Sequence, residues 1–243
     1  AEEGKHIFLE KPLARNPEEG SKIVSAARRC GVKLMVGYPL RFSPDFEELK
    51  KVIESGMLGD IQTAHAVNIG AGPFLHRMES TAPKPVPEWW LDKEVSGGGA
   101  LLDLGSHMIN LTRWYFGEVE SIKAYLGYRF NFDFEDYAFC IIEFESGTKV
   151  LINVGWFSQE AAIGIEVFGT VSHARSYHRS SNKVITAVNL ILGRTPKFFT
   201  PYLKEVIHFV ECIRNDRRPQ PSGEDALKDL ETITQAYKNS RSF

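Results

Sequence analysis

The chain has 243 residues, of which 43% are hydrophobic and 25% charged, with a formal net charge of -2. This is the profile of a soluble globular protein with room for one large domain, or for a small domain fused to a medium one; the even charge balance speaks against a phosphate-backbone binder, so no nucleic-acid partner is expected. The three cysteines, Cys30, Cys140 and Cys212, show neither metal-ligand nor disulfide spacing, which fits a reducing cytoplasm, and neither a secretory signal nor an apolar run near the ~20 residues of a membrane span is recognised.

Residues 1–5 read as the end of a helix capped by Gly4. Ile7-Phe8-Leu9 is a continuous apolar run, as expected for a buried strand of a parallel sheet. Asn16 and Pro17 open a helix that ends at Cys30-Gly31, and residues 32–36 form the next strand. The first forty residues thus read helix–strand–helix–strand, the closing part of a doubly wound sheet. Two parallel strands and their helices leave an apolar edge and face uncovered. The expectation is therefore that the chain is a piece of a longer one, or that another chain supplies the missing strands.

From Tyr38 onward the pattern changes. Residues 44–55 form an amphipathic helix stopped by Gly56, and 61–69 a strand. Residues 70–93 are irregular, with Pro73, Pro83, Pro85, Pro87 and then Trp89-Trp90; a long loop of this kind often serves as a lid or binding loop. Residues 97–116 are mostly helical. Strands follow at about 119–130, 136–144, 149–157 and 164–168, and the turn Glu145-Ser146-Gly147-Thr148 makes the middle pair an antiparallel hairpin. Tyr177, His178 and Arg179 read as an exposed strand end or loop without a role. Residues 200–214 and 223–241 are closing helices; Arg214, Arg217 and Arg218 read as a solvated helix end, and Ser222 or Gly223 with Glu224-Asp225 in the first turn suits a helix start.

Two segments carry chemistry. Glu10-Lys11-Pro12 puts a lysine at the end of a strand, the usual place for a site in an α/β sheet. Ser96-Gly97-Gly98-Gly99-Ala100-Leu101-Leu102-Asp103-Leu104-Gly105-Ser106-His107 puts a carboxylate and an imidazole at i and i+4, on one helix face, with Asn110 near it. A histidine near a carboxylate is a natural general acid or base. Spacing alone also admits a capping Asp103 and a satisfied core His107, and Lys11 could be a solvated loop lysine.

Together with Arg218-Pro219-Gln220-Pro221-Ser222-Gly223-Glu224-Asp225, these segments resemble the Gfo/Idh/MocA oxidoreductases. The resemblance implies a Rossmann-type NAD(P)-binding remnant over 1–38, followed over 39–243 by a large, mostly antiparallel open sheet covered by helices. It implies hydride transfer between NAD or NADP and a hydroxyl of a sugar, polyol or nucleotide-sugar. His107 would be the acid/base assisted by Asp103, and Lys11 would stabilise developing alkoxide charge. Glu10, Lys11, Pro12 and Arg41 would line the cofactor, and Tyr38, Trp89, Trp90 and Asn110 the substrate, with Trp89 and Trp90 read either as a wall of the sugar site or as core. His76 and Arg77 are weaker substrate candidates. Two departures stand out: Pro39 where the family often has Asn, and Asn110 where Asp is frequent. The chain also has no G-x-G-x-x-G turn. A homo-oligomer built through the open sheet is expected; the competing reading is a catalytically incompetent member that binds sugar or serves as a structural subunit.

Overall fold

The computed structural model describes residues 1–74, 87–130, 132–158, 160–178 and 200–242. Strand β1 (Ile7–Glu10), helix α1 (Pro17–Arg29) and strand β2 (Leu34–Gly37) form one unit, with β1 and β2 paired in parallel and Leu9 opposite Val36. Local chemistry starts α1: the Asn16 side chain accepts from the Glu19 backbone N–H at 2.9 Å, and Pro17 takes the first helical position, where an N–H would have no helical acceptor. All four residues of β2 are buried, as a strand covered on both faces requires. Residues 1–5 are not helical; Gly4, at φ +66°, closes a turn by donating its N–H to the Ala1 carbonyl at 2.8 Å.

Tyr38 leads into a short 3-10 turn, Pro39–Phe42, and then into α2 (Pro44–Glu54) and β3 (Ile61–Ile69). A single helical turn, α3 (Lys93–Ser96), precedes a π-helical turn, Leu101–Gly105, which runs into α4 (Ser106–Phe116). The sheet continues through β4 (Val119–Gly127), β5 (Tyr137–Phe144), β6 (Lys149–Gly155), β7 (Ala162–Gly169) and β8 (His173–His178), and the chain closes with α5 (Thr200–Arg214), α6 (Gly223–Lys238) and β9 (Ser240–Ser242). The seven strands lie in the order β8-β7-β3-β6-β5-β4-β9. The hairpin over Glu145–Thr148 is antiparallel as expected, but β3 pairs with β6, and β4 with β9, in parallel, so the sheet is mixed.

One face of this sheet is core. Alternate residues of β5 (Ala138, Cys140, Ile142 and Phe144) meet Met108, Ile109 and Leu111 of α4 and Leu230 and Ile233 of α6, all buried. Each fully buried aliphatic side chain here contributes on the order of 2 kcal/mol. The same alternation sends Tyr125, Ile141 and Leu151 outward, where Ile141 is 50% exposed. Helix α6 begins at a capping box in which Ser222 and Asp225 satisfy each other's backbone N–H groups. The expected long loop is described only at its ends, in the 3-10 turns Gly72–Phe74 and Glu88–Leu91. Pro83, Pro85, His76, Arg77 and Arg179 lie outside the described residues.

Candidate active site

Lys11 leaves the C-terminal end of β1 and meets Asp103 on the π-helical turn before α4. Its ammonium pairs with Asp103 Oδ1 and also donates to the Asp103 backbone carbonyl at 3.0 Å. Both side chains are mostly buried, 17% and 21% exposed. The second oxygen, Oδ2, accepts from the indole Nε1 of Trp156 at 3.2 Å. The turn that presents Asp103 is tethered at its start: Leu101 N–H donates to Glu135 Oε1 at 2.8 Å, and Ala100 N–H to the Glu135 carbonyl at 3.0 Å. A Cβ on Gly99 would stand 1.9 Å from that same carbonyl oxygen, so only glycine lets the backbone approach this closely.

His107 follows one turn later. Among the described residues, its Nδ1 is buried without a hydrogen-bond partner, and its ring lies edge-on to Tyr38 with centroids 6.0 Å apart. Burial, reinforced by the Lys11 charge and opposed by Asp103, pushes the imidazole down to about 3, so it is neutral near pH 7. The site therefore holds a fixed cation, a fixed anion and an uncharged imidazole within electrostatic reach of one another.

A cavity of about 310 Å³ opens over Lys11 and Asp103, walled by Pro12, Trp89, Trp90 and Leu102. Trp89 and Trp90 stack with centroids 6.3 Å apart, and Trp89 is 56% exposed, so it is a wall and not core. An aromatic wall above a charge pair suits a ligand with apolar C–H faces and hydroxyl edges. Among the described residues no group of three or more His, Cys, Asp or Glu side chains is placed to hold a metal ion.

The remaining expected site residues are placed elsewhere. Arg41 donates from Nε to Asn110 Oδ1 at 2.6 Å, and its guanidinium lies over the Trp114 ring at 5.7 Å. Asn110 is 1% exposed and gives its amide N–H to Asp229, which also pairs with Arg113. Both polar groups are thus engaged within the protein, Asn110 in a buried network with Asp229 and Arg113, and neither lines the cavity over Lys11 and Asp103. Tyr38 is 2% exposed and packs on His107, so it backs the imidazole instead of lining the cavity. Glu10 is exposed, and its Oε2 lies over Gly37 of β2, 3.5 Å from where a Cβ there would stand. Nearby, Glu205 of α5 is buried, and burial together with the Glu10 charge pushes its carboxyl up to about 8.

Sequence reasoning missed Trp156. In sequence it is one aromatic residue within the strand expected over 149–157; its partner Asp103 lies 53 residues earlier, and no local pattern joins them.

Comparison with known proteins follows the same division of the chain. A family model described as the GFO/IDH/MocA C-terminal domain matches residues 46–175, and one described as the oxidoreductase family, NAD-binding Rossmann fold, matches residues 1–38. An uncharacterized oxidoreductase of Bacillus subtilis, YrbE, is 29% identical over 260 residues, covering 100% of this chain and 71% of that protein. The myo-inositol 2-dehydrogenase of Thermotoga maritima is 28% identical over 243 residues, covering 93% of this chain and 67% of the relative. Among solved structures, the WlbA dehydrogenase from Bordetella pertussis in complex with NADH and UDP-GlcNAcA superposes with a TM-score of 0.79 at 23% identity, over 97% of this chain and 70% of that one. That likeness shows a shared fold.

Proposed function

This chain belongs to the Gfo/Idh/MocA oxidoreductase family, and from that premise we propose that it oxidises a hydroxyl of a sugar, polyol or nucleotide-linked sugar with NAD or NADP. The observation that carries the reading is the Lys11–Asp103 pair beneath a tryptophan-walled cavity, next to a neutral, half-buried His107. The similarity to an inositol dehydrogenase supports a polyol or sugar as the substrate class.

A nicotinamide cofactor fits what these residues supply at its reactive end. Lys11 and Pro12 stand at the carboxyl end of a parallel strand, where open α/β sheets place their ligands, and both line the cavity. Lys11 and Pro12 would hold the nicotinamide end, and the bound group would supply hydride-acceptor chemistry there. The 243 residues contain no G-x-G-x-x-G turn, and the part matched by the NAD-binding Rossmann family model is residues 1–38.

The protein's own residues handle the proton and the charge. Lys11 donates a hydrogen bond to the reacting oxygen and stabilises the negative charge that develops on it. His107, uncharged, accepts the hydroxyl proton as the negative charge developing on the reacting oxygen opposes the depression of its basicity by burial and Lys11. Asp103 holds the ammonium in place and offsets its effect on the imidazole. Trp89 and Trp90 pack on the substrate's C–H surface and restrict water.

In this reading residues 1–38 are the nucleotide-binding part and 39–243 the substrate and assembly part. The outward residues Tyr125, Ile141 and Leu151 form an apolar strip that a second copy of the sheet would cover, supporting a homodimer or tetramer. Among the described residues no helix is long and apolar enough to cross a membrane. A cytoplasmic setting is supported by three unpaired cysteines.

The test is a spectroscopic screen of the purified chain with NAD⁺ and with NADP⁺ against inositols, aldoses and glucosides. Reduced nicotinamide should appear with at least one compound. Absence of turnover across the panel by a chain that binds NADH or NADPH would contradict the reading.

A further inference from the structure

Trp156 stands directly after β6 and is 1% exposed. Its indole is held on three sides. It lies over Gly72, where a Cβ would meet the ring at 2.2 Å. Phe134 meets it edge-on with centroids 6.1 Å apart, and Trp90 does so at 6.5 Å. A planar group packed this way has little rotational freedom, so the direction of its N–H is set by packing and not by its acceptor. That N–H points at Asp103 Oδ2, 3.2 Å away.

A carboxylate has two oxygens, and its terminal torsion is soft. With Oδ2 held by a rigid donor, Oδ1 is the oxygen left to face Lys11, and it is the one the ammonium engages. Without the indole, the carboxylate could turn and spread its charge over Lys11, solvent and the neighbouring imidazole. A hydrogen bond to an ionised acceptor is among the stronger kinds and is most effective where water is scarce.

We propose that Trp156 is a positioning residue: its indole N–H locks the Asp103 carboxylate in the orientation that pairs with Lys11. The same ring touches Trp90, so one side chain joins the charge pair to the substrate wall. This inference rests on the active-site reading above, yet its test needs neither cofactor nor substrate.

The experiment is trace labelling of lysine amines in the full chain with acetic anhydride, read by mass spectrometry. Lys33 and Lys50 are the controls, because their side chains are 16% and 18% exposed against 17% for Lys11, and each is also ion-paired. Trp156→Phe keeps an aromatic side chain, smaller than the indole, and removes the N–H. It should raise Lys11 labelling about tenfold and leave Lys33 and Lys50 unchanged. Asp103→Ala should raise Lys11 labelling at least as much, and adding Trp156→Phe to it should change nothing further. An unchanged Lys11 in Trp156→Phe, a parallel rise at all three lysines, or an additive effect in the double variant would each overturn the proposal. Should Trp156→Phe fail to fold, hydrogen exchange at the Trp156 indole decides. Its protection should fall about tenfold in Asp103→Ala, and unchanged protection there would overturn the proposal. Loss of turnover plays no part in these readouts, so failure here is separate from failure of the oxidoreductase reading.

Discussion

At the scale of single residues, the site is a problem in charge placement. Lys11 and Asp103 neutralise each other near a cavity, and His107 stays uncharged because burial and the Lys11 ammonium both disfavour its cationic form. That has a stability consequence with a definite sign. The folded imidazole is shifted down to about 3 from 6.5, so between those values the unfolded chain binds more protons than the folded one. Stability supplied by neutral His107 is therefore complete above about pH 6.5 and is lost as pH falls toward 3. His107→Gln should flatten that part of the stability curve by about 3 kcal/mol, read from urea melts between pH 4 and 7. An unaltered acid limb in the variant would mean that His107 is solvated. The residue types of this site were readable from the sequence, because Glu10-Lys11-Pro12 and the glycine-rich segment are distinctive. The fate of Arg41 and Asn110 was not. Their partner Asp229 lies 119 residues beyond Asn110, and nothing local announces a buried ionic network.

At the scale of elements, the decisive piece is the segment from Gly97 to Phe116. It was expected to be mostly helical; the helix forms with a widened π turn at Leu101–Gly105, a feature often found at functional positions. Glu135 caps that turn, and Gly99 is pressed against the Glu135 carbonyl. Gly99→Ala should cost roughly 2–3 kcal/mol, since backbone and not a flexible side chain must give way. A melting curve shows this directly; a change below about 0.5 kcal/mol would mean that the turn is free to shift. Strand positions were legible where one face is buried, as in β5, whose alternation is sharp. Strand β9 was missed because Ser240–Ser242 is too short and polar to show any period. The parallel pairing of β3 with β6 was also hidden, since β4 and β5 intervene in sequence and only tertiary packing fixes which strand closes the gap.

At the scale of the molecule, a small parallel unit meets a large mixed sheet, and the junction carries charge. Arg113 and Asp229 pair in the interior while Asn110 and Arg41 complete the network, tying Tyr38 and the 3-10 turn to α4 and α6. Removing one member of such a network is expensive because the partner is left buried and unpaired. The outer sheet face makes a separate prediction. If a second copy covers it, Ile141→Lys should convert the assembly to monomers by light scattering, without loss of fold. A wild-type monomer at working concentration would overturn that part of the proposal.

The central claim is that Lys11 and His107 carry the proton chemistry of a hydroxyl oxidation. It is tested most directly by initial rates of nicotinamide reduction for wild type, Lys11→Ala and His107→Ala on the best compound from the screen. Each variant is predicted to turn over at least about 10²-fold more slowly, with its melting transition retained. Rates close to wild type for both would contradict the account.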